Sequence, residues 1–583
     1  GAMVRRSRHI PIITTVHSDY RLDYLGSPLK QHTLGTANAI ALRFLDFYQP
    51  VADRMARTLI ERGFDPERIV KIYNGMEFNR PEGEFDRAAY LRETYGAEIE
   101  EGDVLCGIAA RLTAVKDIAT TVRGFAEALK TAPQLRLFIA GDGEDADMLK
   151  KLCDQLGVRE RVTFCGWVSP VMPFFRAMDI NLLSSVSETF PYSILEGVCA
   201  GCATICSDVG GMPELIDTGE NGYIFPVGDD KKLAEYMARL ANDAALRHTF
   251  AEALYAKASR DFSKDKMCER QEANSRHVIA RFHRPKDERE SIVICGAYGR
   301  GNAGDDAILE AIVQEMRELD PLRTITVMSR RPRETRVVYR TNAVYTFNVF
   351  SVLRKFRRAA LYINGGGSLM QDVTSHRSLW FYLFTISWAK RLGNQVMMYG
   401  CGIGPINYAY NRKRARRTIN RSVDVITLRD RSSLDELNGM GVSNPRIIVA
   451  ADPTVFLPAD PPEAADGVLE AAGLDPGHQR YLGIAVRPWP GFEEKAPIFA
   501  EAADYAYEAH GLIPVFLPIE ARLDIGAAQQ VAAHIQKAPY VILPESTSSS
   551  RTIALFSRMD VVLSMRLHAL IFAAGHGVPL VGA

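Results

Sequence analysis

Short apolar runs alternate with longer amphipathic segments along most of the chain. The runs at 105–110, 135–140 and 180–183 are strongly apolar, and segments with helical periodicity, such as 118–130, lie between them. Runs of this length predict buried strands, and the longer segments predict helices. Regular strand–helix alternation is typical of parallel sheets with helices on both faces. The pattern therefore predicts an α/β fold of doubly wound, Rossmann-like lobes.

The same alternation starts again after residue 290, with different residues. The segment 281–290 is charged and contains Pro285, which predicts a linker, whereas 458–476 is rich in Pro, Ala and Asp and predicts a connector. A chain of 583 residues is too long for a single hydrophobic core. The predicted divisions are 1–75, 76–280, 281–290, 291–457 and 458–583.

Composition and charge narrow the functional classes. The formal net charge is +0, which argues against a general nucleic-acid binder. No segment is long and apolar enough to span a bilayer, no signal peptide is visible, and the nine cysteines suit a reducing compartment, so we expect a cytoplasmic protein. Cys199, Cys202 and Cys206 lie close in sequence but lack a clear fourth ligand, so we expect no metal.

Two glycine-rich turns stand out in the second half. The apolar run 359–363 leads into Gly365, Gly366 and Gly367, and a predicted helix follows at 379–392. The strand 292–295 similarly leads into a second turn before the helix predicted at 307–319, with candidate residues Gly299, Asn302, Gly304 and Asp305. Backbone N–H groups in such turns can approach an anion closely at a helix N-terminus. The alternative is that each is only a tight turn.

These turns, followed in order by 399–406, 426–430 and 564–569, resemble the polysaccharide pyruvyl transferase family. The resemblance covers nearly all of 291–583 and implies transfer of pyruvate from phosphoenolpyruvate to a sugar as a ketal. It implies two lobes, 291–457 and 458–583. The implied acceptor is a glycan, lipid-linked in some cases, of a secondary cell-wall polymer, where pyruvyl groups anchor surface-layer proteins. Family members continue into a segment with a functional lysine, so we expect this final lobe to be truncated.

Ketal formation requires an acid that works near neutral pH and cations for a carboxylate and a phosphate. Arg566 and His568 lie two residues apart after a predicted strand, so an extended backbone would place both on one face. We expect them to bind the anion and donate the proton, although His568 could instead only cap a helix. The resemblance agrees and adds Arg429 as a catalytic position. Asp372 in the first turn and Arg487 after another strand are further candidates for substrate binding.

The first half has its own cluster of charged residues at strand ends. Arg111 and Lys116 follow a predicted strand, where open α/β sheets bind ligands, and two cations there suit a diphosphate. Glu188 on a loop and Glu196 on the next helix can hold sugar or ribose hydroxyls. The alternative is that each of these four charges lies on a solvated surface.

This cluster resembles the second lobe of family-four retaining glycosyltransferases, which have the GT-B fold. The resemblance implies that Arg111 and Lys116 bind the diphosphate of a nucleotide sugar, with Glu188 against the hexose and Glu196 against the ribose, without a metal or other cofactor. It also implies a nucleotide-sugar lobe at 76–280, a partial first lobe at 1–75 and a GT-B-like arrangement in both modules. Because 1–75 is short for that family, we expect sugar transfer to be absent or weak.

Three readings of the function remain open at this stage. The first is a pyruvyl transferase fused to an incomplete glycosyltransferase, the second makes sugar transfer the main activity, and the third makes the first module a non-catalytic scaffold. The helix around 412–421 carries a basic face that fits contact with the inner face of the cell membrane or a solvated surface. Its members are Arg412, Lys413, Arg414, Arg416, Arg417 and Arg421.

Overall fold

The computed structural model describes residues 10–19, 32–33, 36–283, 289–373, 375–544, 546 and 548–583. The chain divides into two compact units, residues 1–284 and 285–583. Within the described ranges, no helix combines the length and apolarity needed to cross a bilayer.

The first unit contains a two-stranded and a six-stranded sheet, and all pairings are parallel. Its strands are β1 (Ile13–Val16), β2 (Phe47–Pro50), β3 (Val104–Ala109), β4 (Leu135–Ala140), β5 (Val162–Gly166), β6 (Ile180–Leu183), β7 (Ala203–Ser207) and β8 (Tyr223–Phe225). Its helices are α1 (Thr36–Leu42), α2 (Asp53–Glu61), α3 (Arg87–Tyr95), α4 (Ile118–Ala128), α5 (Ala146–Gln155), α6 (Met172–Arg176), α7 (Tyr192–Ala200), α8 (Met212–Leu215), α9 (Asp230–Asn242), α10 (Ala244–Asp261) and α11 (Lys264–His283).

The second unit contains a seven-stranded and a five-stranded parallel sheet. Its strands are β9 (Ser291–Cys295), β10 (Ile325–Ser329), β11 (Asn342–Tyr345), β12 (Ala359–Met370), β13 (Gln395–Ile403), β14 (Val425–Leu428), β15 (Arg446–Val449), β16 (Arg480–Ala485), β17 (Leu512–Phe516), β18 (Val541–Ile542), β19 (Val561–Ser564) and β20 (Leu580–Gly582). Its helices are α12 (Ala303–Leu319), α13 (Pro332–Tyr339), α14 (Val349–Phe356), α15 (His376–Arg391), α16 (Ala409–Ser422), α17 (Arg431–Met440), α18 (Pro462–Ala471), α19 (Phe492–His510), α20 (Ala521–Ala532), α21 (Ser549–Ser557) and α22 (Leu567–Gly575).

The three large sheets share one strand order. Each starts at a central strand, adds two strands on one side, and then crosses to the other side: β5-β4-β3-β6-β7-β8, β11-β10-β9-β12-β13-β14-β15 and β18-β17-β16-β19-β20. This is the Rossmann order, and its ligands bind beyond the carboxyl ends of the strands at the crossover. The predicted α/β fold of Rossmann-like lobes is confirmed.

Several local predictions need correction. The glycine triplet does not form a strand-to-helix turn, because β12 continues through it to Met370 and α15 begins only at His376. The predicted connector at 458–476 contains the helix α18. The linker prediction falls partly on 284–288, outside the described residues, and α11 extends to His283.

Candidate functional site

The carboxyl ends of both sheets of the second unit surround one cavity of about 430 Å³. The seven-stranded lobe contributes the turn after β9, the end of β12 and the start of the loop after β14. The five-stranded lobe contributes the loops after β16, β17 and β19. The charged and hydrogen-bonding side chains that line the cavity include Arg300, Asn302, Asp305, Ser368, Arg429, Arg487, Glu520, Arg566 and His568.

The start of α12 forms one wall of this cavity. The Asn302 side-chain oxygen accepts hydrogen bonds from the backbone N–H groups of Gly304 (3.0 Å) and Asp305 (3.3 Å), so Asn302 caps the helix. Gly304 lies directly against the imidazole of His568, and a Cβ at this position would clash with the ring. The Ala303 N–H donates to the Ile519 carbonyl at 2.8 Å, which fixes this helix start to the other lobe.

The three glycines of the triplet have different surroundings: Gly365 and Gly366 pack against other elements, and Gly367 lines the cavity. The Gly365 carbonyl accepts from the Tyr298 hydroxyl at 2.9 Å, and a side chain on Gly366 would clash with Ile308 of α12. Only Gly367 lines the cavity, where Asp305 Oδ1 lies 3.0 Å from the position of an added Cβ. Gly299, with φ of 74°, also packs closely, against Ser329. The predicted contact with an anion therefore fits Gly367 and not the other members.

Arg429 is held in place but keeps one unused donor. Its Nη1 lies 3.0 Å from Asp452 Oδ2, and its Nη2 donates to the Ser368 hydroxyl at 3.1 Å. Its Nε is buried and has no hydrogen-bond partner among the described residues. A buried donor without a partner is costly, so this group is suited to binding an anion in the cavity.

Arg566 is placed differently from the prediction. Its backbone caps α22 rather than extending β19, so Arg566 and His568 are not on a shared strand face. The guanidinium is buried and paired with the carboxylate of Asp524, with Nε 3.1 Å from Asp524 Oδ2, and it also contacts Glu520 at 3.4 Å. Because its Nε and Nη2 both already donate to carboxylates, Arg566 is better suited to positioning the wall of the cavity than to holding a second anion.

Arg487, unlike Arg566, keeps an Nε donor that no other described residue uses. Its Nε is buried without a hydrogen-bond partner in the described part of the chain, and its guanidinium lies 5.1 Å from the ring centroid of Trp489. Burial, and then the neighbouring charge of Arg566, lowers the pKa of Arg487. Both effects disfavour the guanidinium cation, so an anion bound beside it would be stabilised.

His568 lies in the first turn of α22, enclosed by protein. Its Nε2 is 3.8 Å from Asp452 Oδ2, beyond hydrogen-bond distance, and has no other partner among the described residues. Burial lowers the pKa of His568 to about 4, although Asp452 acts in the opposite direction. The imidazole is therefore neutral at pH 7 and can accept a proton.

The pKa of Asp305 is shifted in the opposite direction to that of His568. Its carboxyl lines the cavity, is largely surrounded by protein, and has no hydrogen-bond partner among the described residues. Burial raises the pKa of Asp305 to about 7, and the adjacent Asp306 adds to the shift. Two neighbouring groups whose pKa values are pushed apart are the usual arrangement of a general acid and a general base.

Asp372 does not line the cavity, in contrast to the prediction. Its carboxylate accepts from the backbone N–H groups of Asn407 (2.8 Å) and Tyr408 (3.2 Å) and from the Asn411 side chain (2.8 Å). Burial acts to raise the pKa of Asp372, but these hydrogen bonds outweigh it and lower the pKa. Asp372 is therefore suited to holding the loop after β13 and the start of α16 in place.

A second cavity of about 490 Å³ shares Ala297, Arg300, Ser378 and Tyr382 with the first. Its further lining includes the rings of Phe347 and Phe381 and the guanidiniums of Arg330, Arg377 and Arg300. Aromatic faces beside cations suit the apolar faces and the charged substituents of a sugar derivative.

The first unit has a smaller cavity, of about 240 Å³, at the crossover between β3 and β6. Its lining contains Arg111, Lys116 and Glu188, together with His17 and Glu144. Lys116 and Glu188 form an ion pair, whereas Arg111 is exposed and makes no hydrogen bond within the described residues. Glu196 on α7 is outside the lining, and burial raises its pKa. Three of the four predicted nucleotide-sugar residues are thus brought together.

Sequence reasoning missed the carboxylates that organise the second unit's cavity. Asp452 follows β15, Glu520 follows β17, and Asp524 lies in the first turn of α20. The first two stand just past strand ends, so the rule that identified the arginines could also have identified them. Asp524 has no such signal, because only the folded structure brings it to Arg566.

The shared strand order and the cavities at carboxyl strand ends define a class, Rossmann-like α/β proteins with cavities at their sheet crossovers. Comparison with known families identifies the two units. The chain carries a polysaccharide pyruvyl transferase domain over residues 302–582 and a glycosyl transferases group 1 domain over residues 96–257. The predicted resemblances are both confirmed.

Curated relatives match part of the chain. The lipopolysaccharide core biosynthesis glycosyltransferase LpsE of Rhizobium meliloti is 35% identical over 126 residues, which cover 22% of this chain and 37% of LpsE. The N-acetyl-alpha-D-glucosaminyl L-malate synthase of Bacillus anthracis is 29% identical over 266 residues, covering 44% of this chain and 65% of the synthase. The chain thus spans less than two thirds of these relatives. A crystal structure of Anabaena HepE in complex with UDP aligns at 22% identity with TM-score 0.42, covering 47% of this chain and 74% of HepE.

Proposed function

We propose that the second unit transfers the pyruvyl group of phosphoenolpyruvate to a pair of sugar hydroxyls, forming a cyclic ketal and releasing phosphate. The observation that carries this proposal is a pair of buried donors without hydrogen-bond partners among the described residues, Arg429 Nε and Arg487 Nε, in a cavity between two lobes. Phosphoenolpyruvate has a carboxylate and a phosphate, and guanidinium donors match both groups.

The proposed proton transfers use Asp305 and His568. Protonated Asp305 donates to the methylene carbon, and neutral His568 accepts the proton of the attacking hydroxyl. The carbon–oxygen bond to phosphate then breaks, and phosphate leaves with the proton from His568. The second hydroxyl closes the ring and returns its proton to Asp305, so both groups end as they began. This assignment revises the predicted role of His568 as the acid, because burial keeps its imidazole neutral.

The second cavity is the proposed acceptor site. It opens beside the first, and its aromatic rings and arginines suit a glycan that carries anionic groups. By the family resemblance, the acceptor is a cell-wall polysaccharide precursor, carried on a lipid in one version of the proposal. A role in anchoring surface-layer proteins follows only if the product is a secondary cell-wall polymer.

The direct test is phosphate release from phosphoenolpyruvate, with and without an acceptor glycan. We expect acceptor-dependent release that Arg487→Ala suppresses, because the phosphate or carboxylate then loses a donor. Matched release by Arg522→Ala, an exposed arginine outside the lining, serves as the control. Binding of phosphoenolpyruvate without any transfer to a panel of cell-wall glycans would count against the proposal.

A second proposed function belongs to the first unit. Arg111, Lys116 and Glu188 line one cavity at a sheet crossover, which supports a nucleotide-sugar donor site without a metal. This proposal has two alternative forms. In one, sugar transfer is the main activity of the chain; in the other, the first unit is a scaffold that binds no nucleotide. Calorimetry with nucleoside diphosphates separates these two, because a scaffold gives no heat of binding.

A further inference from the structure

Two neighbouring helices of the second unit form a surface with a distinctive combination of side chains. The helix α15 presents Trp380, Phe384 and Trp388 at successive helical turns, and the Trp380 and Phe384 side chains are 38% and 39% exposed. The rings of Phe384 and Trp388 lie 6.0 Å apart, so they form a continuous aromatic stripe. Large apolar side chains placed together on a surface usually mark a contact site.

The adjoining helix α16 supplies positive charge next to this stripe. The guanidinium of Arg414 lies 5.3 Å from the ring centroid of Trp380, and the Trp380 indole N–H donates to the Asn411 side-chain oxygen at 2.9 Å. These contacts join the two helices into one face. We call this face the aromatic-basic face, with members Trp380, Phe384, Trp388, Lys413, Arg414, Arg417 and Arg421.

The charge of this region is one-sided. Between Asp372 and Asp424 the sequence has nine Lys and Arg residues and no Asp or Glu, whereas the whole chain balances 70 basic against 70 acidic residues. Arg412 is paired with Glu436 at 2.5 Å, but Lys413, Arg417 and Arg421 are exposed and form no ion pair within the described residues. A concentration of unpaired cations in an otherwise neutral protein points to an anionic partner.

We propose that the aromatic-basic face docks onto an anionic lipid bilayer. Lys and Arg bind the phosphates of acidic headgroups, and Trp and Phe insert at the boundary between headgroups and acyl chains. A DNA duplex would use the cations but, because its bases are stacked inside the helix, would leave the stripe on α15 without a role. The bilayer is therefore the partner that fits both parts.

The orientation of α15 gives the docking a consequence. Ser378, Phe381 and Tyr382 of this helix line the proposed acceptor cavity, so a docked protein would hold that cavity beside the membrane surface. A lipid-carried acceptor could then enter without leaving the bilayer. This consequence rests on the proposed function, whereas the docking itself does not.

Sedimentation with vesicles tests the docking without any activity measurement. We expect the full chain to bind vesicles of phosphatidylcholine with one third phosphatidylglycerol, and to bind pure phosphatidylcholine weakly. The triple variant Lys413→Glu, Arg417→Glu, Arg421→Glu should weaken binding by more than about tenfold, because each surface cation contributes severalfold. The matched control Lys231→Glu, Arg333→Glu, Lys495→Glu changes the net charge equally at exposed cations elsewhere and should bind normally.

A second variant separates insertion from simple charge attraction. Phe384→Gln removes an exposed ring without changing charge. We expect it to bind the acidic vesicles more weakly than the parent, and we expect this difference to remain at high salt. Equal loss in the control triple variant would overturn the proposal, as would retention of vesicle binding by both test variants. Preferential binding of a DNA duplex over the acidic vesicles would assign the face to nucleic acid instead.

Discussion

At the scale of single residues, the cavity of the second unit contains two kinds of ionisable group. Arg566 uses both its Nε and its Nη2 on carboxylates, whereas Arg429, although paired with Asp452, and Arg487 each keep a buried Nε without a hydrogen-bond partner among the described residues. Donors that are already used hold the walls in place, and the two unused Nε donors can bind a ligand. This distinction separates the effects of mutations that look equivalent in the sequence.

The first prediction contrasts two arginines. Arg566→Ala leaves the buried Asp524 carboxylate unpaired and should lower the free energy of unfolding by about 3–5 kcal/mol. Arg487→Ala should cost much less stability but weaken phosphoenolpyruvate binding. Denaturant titration measures the first quantity and calorimetry the second. Equal stability of the two variants would show that the Arg566 pair is not structural.

The second prediction concerns Asp305→Asn. The variant cannot donate a proton, so turnover should fall by about a hundred- to ten-thousand-fold while phosphoenolpyruvate still binds. In the parent, turnover should decline as pH rises through about 7, where Asp305 loses its proton. A parental rate in Asp305→Asn would exclude Asp305 as the acid, and His568→Gln would then become the variant to examine.

The third consequence of the raised pKa concerns stability: Asp305→Asn, which should lower turnover, should raise the stability of the fold. The raised pKa means that the folded protein keeps a proton between about pH 4 and 7 that the unfolded chain releases, so stability falls as pH rises across this range. Asp305→Asn removes that loss and should melt at a higher temperature than the parent at pH 8. A difference in melting temperature between the two proteins that stays the same from pH 4 to pH 8 would contradict the raised pKa.

At the scale of elements, the sequence was most informative where strands end. The apolar runs located the strands, and the rule that ligands meet carboxyl strand ends brought Arg429, Arg487 and His568 to one cavity. The glycine triplet misled because glycines serve close packing inside a strand as readily as they serve a turn: Gly366 packs on Ile308 of α12. The pairing of Arg566 with Asp524 links separate elements, so no local pattern could reveal it.

The third prediction tests the contact between α12 and α22. Gly304→Ala would place a methyl group against the buried His568 ring, so turnover should fall even though alanine favours a helix. Gly467→Ala in α18 is the control, because it has open space and should raise stability by roughly 0.5–1 kcal/mol without affecting turnover. Normal turnover in Gly304→Ala would show that His568 tolerates displacement.

At the scale of the whole molecule, one strand order occurs in two units whose cavities have different linings. The first unit places Arg111, Lys116 and Glu188 at its crossover, and the second places a larger set of arginines between two lobes. The fold therefore sets where ligands bind, while the residues after each strand decide which ligands bind.

The fourth prediction is that nucleoside diphosphate binding requires the cations of the first unit. Arg111→Ala should weaken binding of uridine diphosphate, because the exposed guanidinium is free to contact phosphate. Arg487→Ala should leave that affinity unchanged and serves as the matched control. Calorimetry on the full chain measures both, and equal affinity in Arg111→Ala would assign the diphosphate to other residues.

The central claim is that the second unit protonates phosphoenolpyruvate and transfers its pyruvyl group to a sugar. Running the reaction in deuterium oxide with an acceptor glycan, and analysing the product by mass spectrometry, tests this most directly. If the claim is right, the product is a pyruvylated glycan whose new methyl group carries one deuterium, and free phosphate forms together with it. A product without deuterium in that methyl group, or phosphate release with no glycan product, would contradict it.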